Sequence, residues 1–432
     1  MPLLIPILFS ISCTSETGKK DSLFQSLPSE RTNIHFENRL SFDHEFNIYR
    51  YRNFYNGGGV ALGDISGNGL PDIFLTGNMV QNRLYINKGD FKFEDITEQA
   101  GVGGTKTWST GVSFVDINGN GLLDIYVTNS GEVEEDQRRN ELFINNGDLT
   151  FTEMAAEYGL DDPGYSIHAV FFDYNGDGLL DMYLLNNSDE AIGSFDISEN
   201  QRHVRDDLGG DKLYRNDGNF FVDVSEEAGI YGSEIGFSLS ASIADVNRDG
   251  WPDIYVANDF FERDYLYINN GDGTFREVLE DNMGSISAAS MGSDIADISN
   301  NGWPDIYVSD MLPQSERRLK TVTTFENWER FSDKQKWGYH SQLTRNTLQL
   351  NNGISEIRNS APFFSEIGRF SRVEATDWSW AVLIADFDHN GYNDIYVTNG
   401  LLQDITNLDY LGEVRTPDMV RSIITGENVD FE

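Results

Sequence analysis

A single cysteine, Cys13, in a chain of 432 residues leaves no pair from which a disulfide framework could be built. Basic residues are scarce as well: 31 Lys and Arg stand against 71 Asp and Glu, a formal charge of -40. Phosphate backbones are held by a basic footprint, so nucleic acid is excluded as the main partner. The six histidines (His35, His44, His168, His203, His340, His389) are scattered, with no H-E-x-x-H or Cys/His cluster. Neither a G-x-S-x-G nor a Walker sequence occurs, which leaves nucleophilic and phosphoryl-transfer chemistry without residues. Past the N-terminal segment no apolar run approaches the roughly 18 to 20 residues that span a bilayer. Core material is plentiful, however: 39% of residues are hydrophobic and 12% aromatic, too many for a disordered chain.

Against this background one pattern recurs. Six nine-residue loops begin and end on aspartate: DISGNGLPD from Asp64, DINGNGLLD from Asp116, DYNGDGLLD from Asp173, DVNRDGWPD from Asp245, DISNNGWPD from Asp297 and DFDHNGYND from Asp386. Oxygen-bearing side chains fall at positions 1, 3, 5 and 9, with glycine at 6 in every copy. That is the donor pattern of a hard cation, calcium above all. Asp, Asn and Gly also make good turns, but a turn alone does not call for aspartate at both ends. An EF-hand would need glutamate at position 12, where this chain has Leu75, Val127, Leu184, Val256, Val308 and Val397.

Each loop sits inside a longer unit. A strand of small residues precedes it (GGGVALGD, STGVSFVD, SIHAVFFD, SLSASIAD, SMGSDIAD, SWAVLIAD) and an apolar strand follows (DIFLT, DIYVT, DMYLL, DIYVA, DIYVS, DIYVT). The loop is thus read as the connection of a tight antiparallel hairpin. A second hairpin with Asn-Gly or Asp-Gly chemistry comes next, in RLYINKGDFKFEDI, ELFINNGDLTFTEM, KLYRNDGNFFVDV and YLYINNGDGTFREV, with a degenerate fifth copy in TLQLNNGISEIRN. Four short strands per unit predict an all-β fold, a β-propeller of four-stranded antiparallel blades. Small residues in the first strand suit the crowded positions beside the propeller axis. Loop-to-loop spacings of 52, 57, 72, 52 and 89 residues place insertions at 188–211 and 313–346, the second partly helical. Such spacing excludes a calcium β-roll, whose nonapeptides follow in direct succession. The absence of a Trp-Asp dipeptide excludes a WD-type propeller.

D-x-[NDS]-x-[ND]-G-x-x-D combined with L-Y-x-N-N-G-D-x-x-F resembles the FG-GAP/VCBS repeats, which build the propeller of integrin α-subunits and of many bacterial surface proteins. NFYNGGGVALGD, with the WST, YSIHA and DWSW strands, is similar to the bacterial branch that carries an ASPIC/UnbV domain after its repeats, a set that includes the animal cartilage acidic proteins. The literal Phe-Gly and Gly-Ala-Pro signatures of integrin repeats are absent. The resemblance covers residues 24–410 and implies up to six Ca²⁺ sites, each formed by side chains at positions 1, 3, 5 and 9 and the carbonyl at position 7. In order, these are Asp64, Ser66, Asn68, Leu70 and Asp72; Asp116, Asn118, Asn120, Leu122 and Asp124; Asp173, Asn175, Asp177, Leu179 and Asp181. The later three are Asp245, Asn247, Asp249, Trp251 and Asp253; Asp297, Ser299, Asn301, Trp303 and Asp305; Asp386, Asp388, Asn390, Tyr392 and Asp394. Loops three, four and six carry three carboxylates and are expected to bind best, whereas those opened by Asp64 and Asp297 carry two, with serine at position 3, and are expected to bind weakest.

The resemblance also implies seven blades, closed by an N-terminal strand that completes the last one. LFQSLPSERTNIHFEN looks like an outer strand and its trailer, while no second hairpin follows the sixth loop before Glu432. The expectation is six of seven blades with the last incomplete, and residues 411–432 as a truncated C-terminal segment; a closed six-blade ring is the alternative. At the other end, Leu3 to Ile11 is apolar and Ser-Ile-Ser-Cys is similar to a bacterial lipobox, with Cys13 as the lipid-attachment site. Residues 1–13 then form an export segment and 14–23 a polar linker. Ser10 replaces the usual leucine and the basic leader is missing, so an ordinary export signal or a misplaced start remain open. The expected function is a non-catalytic, calcium-binding scaffold at the outer membrane or cell surface, or otherwise extracellular. It would bind a protein or glycan on one propeller face and meet the membrane only through Cys13. The alternatives are a carboxylate-based polysaccharide-active enzyme and a structural part of a larger surface complex.

Overall fold

The computed structural model describes residues 22–409 apart from 45, 49, 189–195, 197, 219, 324–326, 355–361, 401 and 403–406. Cys13, the export segment 1–13, most of the linker 14–23 and the segment 411–432 lie outside the described residues.

Among the described residues, alternation of small-residue strand, loop and apolar strand yields five four-stranded antiparallel sheets and one of two strands, in the order of the sequence units, and Ile286–Ser287 pairs with Gln342–Leu343 in a short parallel sheet beside them. Blade 1 runs Val60–Gly63, Asp72–Leu75, Arg83–Asn87 and Phe93–Asp95. Blade 2 is Ser109–Val115, Asp124–Asn129, Glu141–Asn145 and Phe151–Glu153. Blade 3 is Ser166–Phe172, Asp181–Asn186, Lys212–Asn216 and Phe221–Asp223. Blade 4 is Ser238–Ala244, Asp253–Asn258, Tyr265–Asn269 and Phe275–Glu277. Blade 5 comprises Ser293–Ala296, Asp305–Val308, Thr347–Ile354 and Pro362–Glu366. The degenerate fifth copy thus supplies a third strand that pairs with a return strand at Pro362–Glu366. Blade 6 has Ser379–Ala385 and Asp394–Asn399.

The cores lie between blades rather than within them. Phe74 and Leu84 of blade 1 pack with Ile125 and Val127 of blade 2. Tyr126 and Leu142 meet Ala169 and Met182 of blade 3, and Tyr183 and Leu213 meet Ile254 and Val256 of blade 4. Both faces of an inner strand are thus covered, which is why these strands are apolar at consecutive positions. First strands touch in succession from blade 1 to blade 6, and small residues make that approach possible. A β-carbon on Gly111 would stand 2.5 Å from the Ile167 carbonyl oxygen. Hydroxyls stitch the seam: Ser113 Oγ donates to the Ala169 carbonyl at 2.6 Å, and Thr110 Oγ1 to the Ser166 carbonyl at 2.8 Å.

Among the described residues the six blades do not close on one another. Val60 and Leu62 on blade 1 are 59% and 66% exposed, whereas Val112 of blade 2, the counterpart of Val60, is buried; on blade 6 Leu383 is 54% exposed. The N-terminal stretch bridges part of this opening. Phe24 packs on Phe387 and Tyr396 of blade 6, with ring centroids 5.6 and 5.1 Å away, and Asn33 Nδ2 donates to the Phe93 carbonyl of blade 1. The expected outer strand does not form over residues 22–28, but the trailer does: a helical turn, Ser29–Thr32, ends on left-handed Asn33. Blade 1 ends in the same way, with Thr97–Ala100 followed by left-handed Gly101. The two insertions meet each other, Asn200 Nδ2 donating to the Trp337 carbonyl at 2.8 Å. Helices Glu316–Val322 and Trp328–Lys336 bear out the partly helical reading of the second insertion.

Candidate functional site

First and second strands meet at the loop itself. The last residue of the first strand pairs with position 9, as in Val115 with Asp124, Ala244 with Asp253 and Ala385 with Asp394. A short connection forces the backbone to bend around its own side chains. The position-1 carboxylate accepts the N–H groups of positions 5 and 6 in all six loops: Asp64 at 2.9 and 2.8 Å, Asp116 at 3.0 and 2.8 Å, Asp173 at 3.2 and 2.9 Å. Asp245 and Asp297 do so at 3.0 and 2.8 Å, and Asp386 at 2.9 and 2.8 Å. Position 5 accepts the N–H of position 7, which fixes Leu70, Leu122, Leu179, Trp251, Trp303 and Tyr392 in a common backbone geometry.

Position 9 is the buried end of the donor set. Asp72, Asp124 and Asp181 are fully buried and Asp253 and Asp305 nearly so. Burial, with a push from Asp177 and Asp173, raises Asp181 to about 7; burial with Asp249 and Asp245 does the same to Asp253. Acidic oxygens held together against their own repulsion, with no cationic side chain among their hydrogen-bond partners, fit a hard divalent cation. The structure brings three carboxylates together only in loop six among the described residues, where oxygens of Asp386, Asp388 and Asp394 lie within 4.8 Å of one another. In loops three and four the position-3 amide intervenes: Asn175 Nδ2 donates to Asp177 at 2.9 Å and Asn247 Nδ2 to Asp249 at 2.7 Å. Ser66 and Ser299 stand 3.5 Å from the position-1 carboxylates of Asp64 and Asp297.

One residue of the site lies outside the loops. The first asparagine of each second hairpin (Asn87, Asn145, Asn216, Asn269, Asn351) donates its backbone N–H to the position-9 carboxylate at 2.8–2.9 Å. Its Nδ2 binds the position-8 carbonyl and its Oδ1 takes the N–H of the turn glycine, as in Asn269 with Pro252 and Gly271. The same amide reaches a neighbouring blade: Asn269 donates to the Tyr174 carbonyl at 2.8 Å, Asn351 to that of Val246 at 2.9 Å. This asparagine therefore ties loop to turn and, in blades 2, 4 and 5, to the loop of the preceding blade. Its recurrence in LYxNNG was the available signal, although there it looks like turn chemistry. Blade 6 has no described third strand, which leaves Asp394 more open than its counterparts.

A second repeated bond closes the opposite strand ends. A side chain opening the third strand accepts the N–H at the end of the second: Asn82 from Gly77, Asn140 from Asn129, Asp211 from Asn186, Asp264 from Asn258 and Asn346 from Asp310. Beyond these pegs lies a cleft of about 460 Å³. Its wall comes from the segment before blade 1 (Arg52), the residues after the second strand of blade 4 (Asp259 to Phe261), helix Trp328–Lys336 and the start of blade 6 (Trp378, Trp380). The carboxylate loops and this cleft thus occupy opposite ends of the strands.

Four-stranded antiparallel blades stacked face to face, each led by a carboxylate loop, define a β-propeller-type repeat protein. Three stretches, 64–127, 130–184 and 245–308, match the FG-GAP-like repeat, so the chain carries FG-GAP-like repeats. It is 32% identical to cartilage acidic protein 1 of Xenopus tropicalis over 126 residues, which is 28% of this chain and 18% of that protein. It is also 39% identical to integrin alpha-7 of Homo sapiens over 88 residues, 17% of this chain and 7% of the relative. The chain thus matches less than a fifth of the length of either. Among solved structures, a lectin of Agrocybe aegerita that recognises non-reducing terminal N-acetylglucosamine aligns with a TM-score of 0.42 at 17% identity, over 78% of this chain and 73% of that one.

Proposed function

We propose that this protein is a calcium-stabilised, non-catalytic propeller scaffold, displayed outside the cell, that grips a ligand with the strand ends opposite its calcium loops. The observation that carries the reading is the repeated all-oxygen loop whose position-9 carboxylate is buried and tied to the second hairpin. Calcium suits this set better than magnesium, which demands stricter octahedra and keeps several waters. Each ion would be held by positions 1, 3, 5 and 9, and would neutralise carboxylates that repel by ~1 to 4 kcal/mol per pair at 4 Å. A Kd near 10⁻⁴ M in millimolar calcium corresponds to about 1 to 2 kcal/mol of stabilisation per site. Among the described residues the cleft lining has one carboxylate, Asp259, whereas glycoside hydrolysis uses two; this supports a binding role. Among the described residues no helix is long and apolar enough to cross a membrane; in this reading the lipobox-like Ser-Ile-Ser-Cys places a lipid anchor on Cys13. Calorimetry with calcium and then with EDTA tests the core of the proposal. Melting should fall by several degrees on chelation, and an unchanged transition would refute it.

A further inference from the structure

The chain is strongly acidic, yet the cleft is lined by three cations, Arg52, Arg330 and Lys334. All three rest on aromatic rings. The Arg52 guanidinium lies 5.4 Å from the Phe260 centroid, while Arg330 and Lys334 lie 5.2 and 5.5 Å from that of Phe261. Stacking of this kind orients a cation over the ring, and Arg52 also lies within the field of the Asp259 carboxylate. One ring is held at a backbone cost. Phe260 has φ of 66°. A bulky residue in the left-handed region persists only where its surroundings impose it, and such residues gather at ligand sites. Here Asp259 Oδ1 accepts the Phe260 N–H at 2.7 Å, and Arg318 Nε from the second insertion holds Asp377, next to Trp378, at 2.8 Å. Trp378 and Trp380 line the same cleft, with ring planes 30° apart and centroids at 6.3 Å. The Trp378 Nε1–H is buried without an acceptor.

We propose that this cleft is a saccharide site selective for sugars that carry a carboxylate, the pyranose face stacking on Trp378 and Trp380 and the carboxylate taking Arg330 and Arg52. The proposal deepens the ligand-binding reading above and rests on it. A cleft of about 460 Å³ falls within the roughly 300 to 1,000 Å³ of small-ligand sites. Indoles cover the apolar C–H face of a sugar, and guanidinium groups match a carboxylate in a two-pronged fit. Lys334, whose Nζ donates to Gln342 Oε1 at 2.7 Å, adds charge from the same helix as Arg330.

The test is titration calorimetry on the calcium-loaded full chain with glucuronate-, galacturonate-, mannuronate- and sialate-terminated oligosaccharides, each beside its twin with the carboxyl reduced to an alcohol. At least one acidic member should bind, with its reduced twin weaker by about 10- to 100-fold, the range expected for a lost charge-assisted contact. Arg330→Gln, at an exposed position of helix Trp328–Lys336, should weaken the acidic sugar about tenfold and affect the reduced twin much less. Trp380→Ala should abolish both, with the melting temperature of each variant recorded to confirm folding. Equal binding of acid and reduced twins, or no binding across the panel, would each overturn the proposal. The calcium response of melting is read from the same samples. If it is intact while the acid preference is missing, only the sugar assignment fails; if it is lost, the scaffold reading fails with it.

Discussion

Asp264 should destabilise the fold at neutral pH and cease to do so when its carboxyl is replaced by an amide. Its Oδ1 accepts the Asn258 N–H at 2.8 Å, and its Oδ2 accepts the hydroxyls of Tyr255 at 2.6 Å and Ser290 at 2.9 Å. Burial nevertheless pushes the group up to about 7, from an unfolded value near 3.8. Between those values the folded chain binds the extra proton. Stability is therefore full below about pH 4, falls as pH rises, and levels off above about pH 7. A shift of about three units corresponds to a loss of about 4 kcal/mol, an upper bound. Blade 2 displays the remedy. Asn140 occupies the equivalent place, accepts the Asn129 N–H at 2.8 Å, and donates Nδ2 to the Tyr126 hydroxyl and Ser166 Oγ, both at 3.0 Å. Asp264→Asn should thus be within about 1 kcal/mol of the parent at pH 4.5 and more stable by up to about 4 kcal/mol at pH 8. Urea unfolding of both proteins at each pH, in saturating calcium, measures the difference. A variant less stable than its parent at pH 8, or a gap that does not change with pH, would refute the reasoning. Asp211, also raised to about 7 by burial, should behave alike.

Other expectations follow from the same geometry. Asn269→Ala removes three side-chain hydrogen bonds that join loop, turn and the neighbouring blade, and should cost about 3 kcal/mol in denaturant unfolding. Gly111→Ala drives a β-carbon to 2.5 Å from the Ile167 carbonyl; a loss of about 3 kcal/mol is expected, and an unchanged urea midpoint would show that the first strands are not packed this tightly. Asp388→Asn removes one of the three clustered carboxylates of loop six and leaves it with the Asp-Asn-Asn-Asp donor set of loop two, so calcium titration should show the same number of sites with one of them weakened. Glu277→Gln breaks the buried pair with Arg263 and should cost about 3 to 5 kcal/mol, since the guanidinium stays buried without its counter-charge.

Much of the architecture was legible because its causes are local. Register at each loop follows from aspartate closing a nine-residue turn, and consecutive apolar residues in DIYV-type strands already require two covered faces. The blade-5 return strand was not legible: PFFSE lacks the Asn-Gly punctuation, and Phe364 earns its place by packing with Leu266 and Ile306 across blades. Nor could the sequence separate the loops by carboxylate geometry. It ranked loops three, four and six together, whereas the amides of Asn175 and Asn247 turn toward their own loop carboxylates and only loop six clusters three acids.

The sequence by itself determined the repeat, the loop chemistry and the small residues of the inner strands, since each depends on neighbours within a few positions. Tertiary structure alone decided the rest. It made Asn145, Asn269 and Asn351 links to the loop of the preceding blade, and that link spans as many as 105 residues of chain between Asn351 and Val246. It raised Asp211 and Asp264 by burying them under the next blade, an effect of desolvation that no local pattern encodes. It also assembled Arg52, Arg330 and Trp380 from three distant segments into one wall of opposite character to the acidic chain around it.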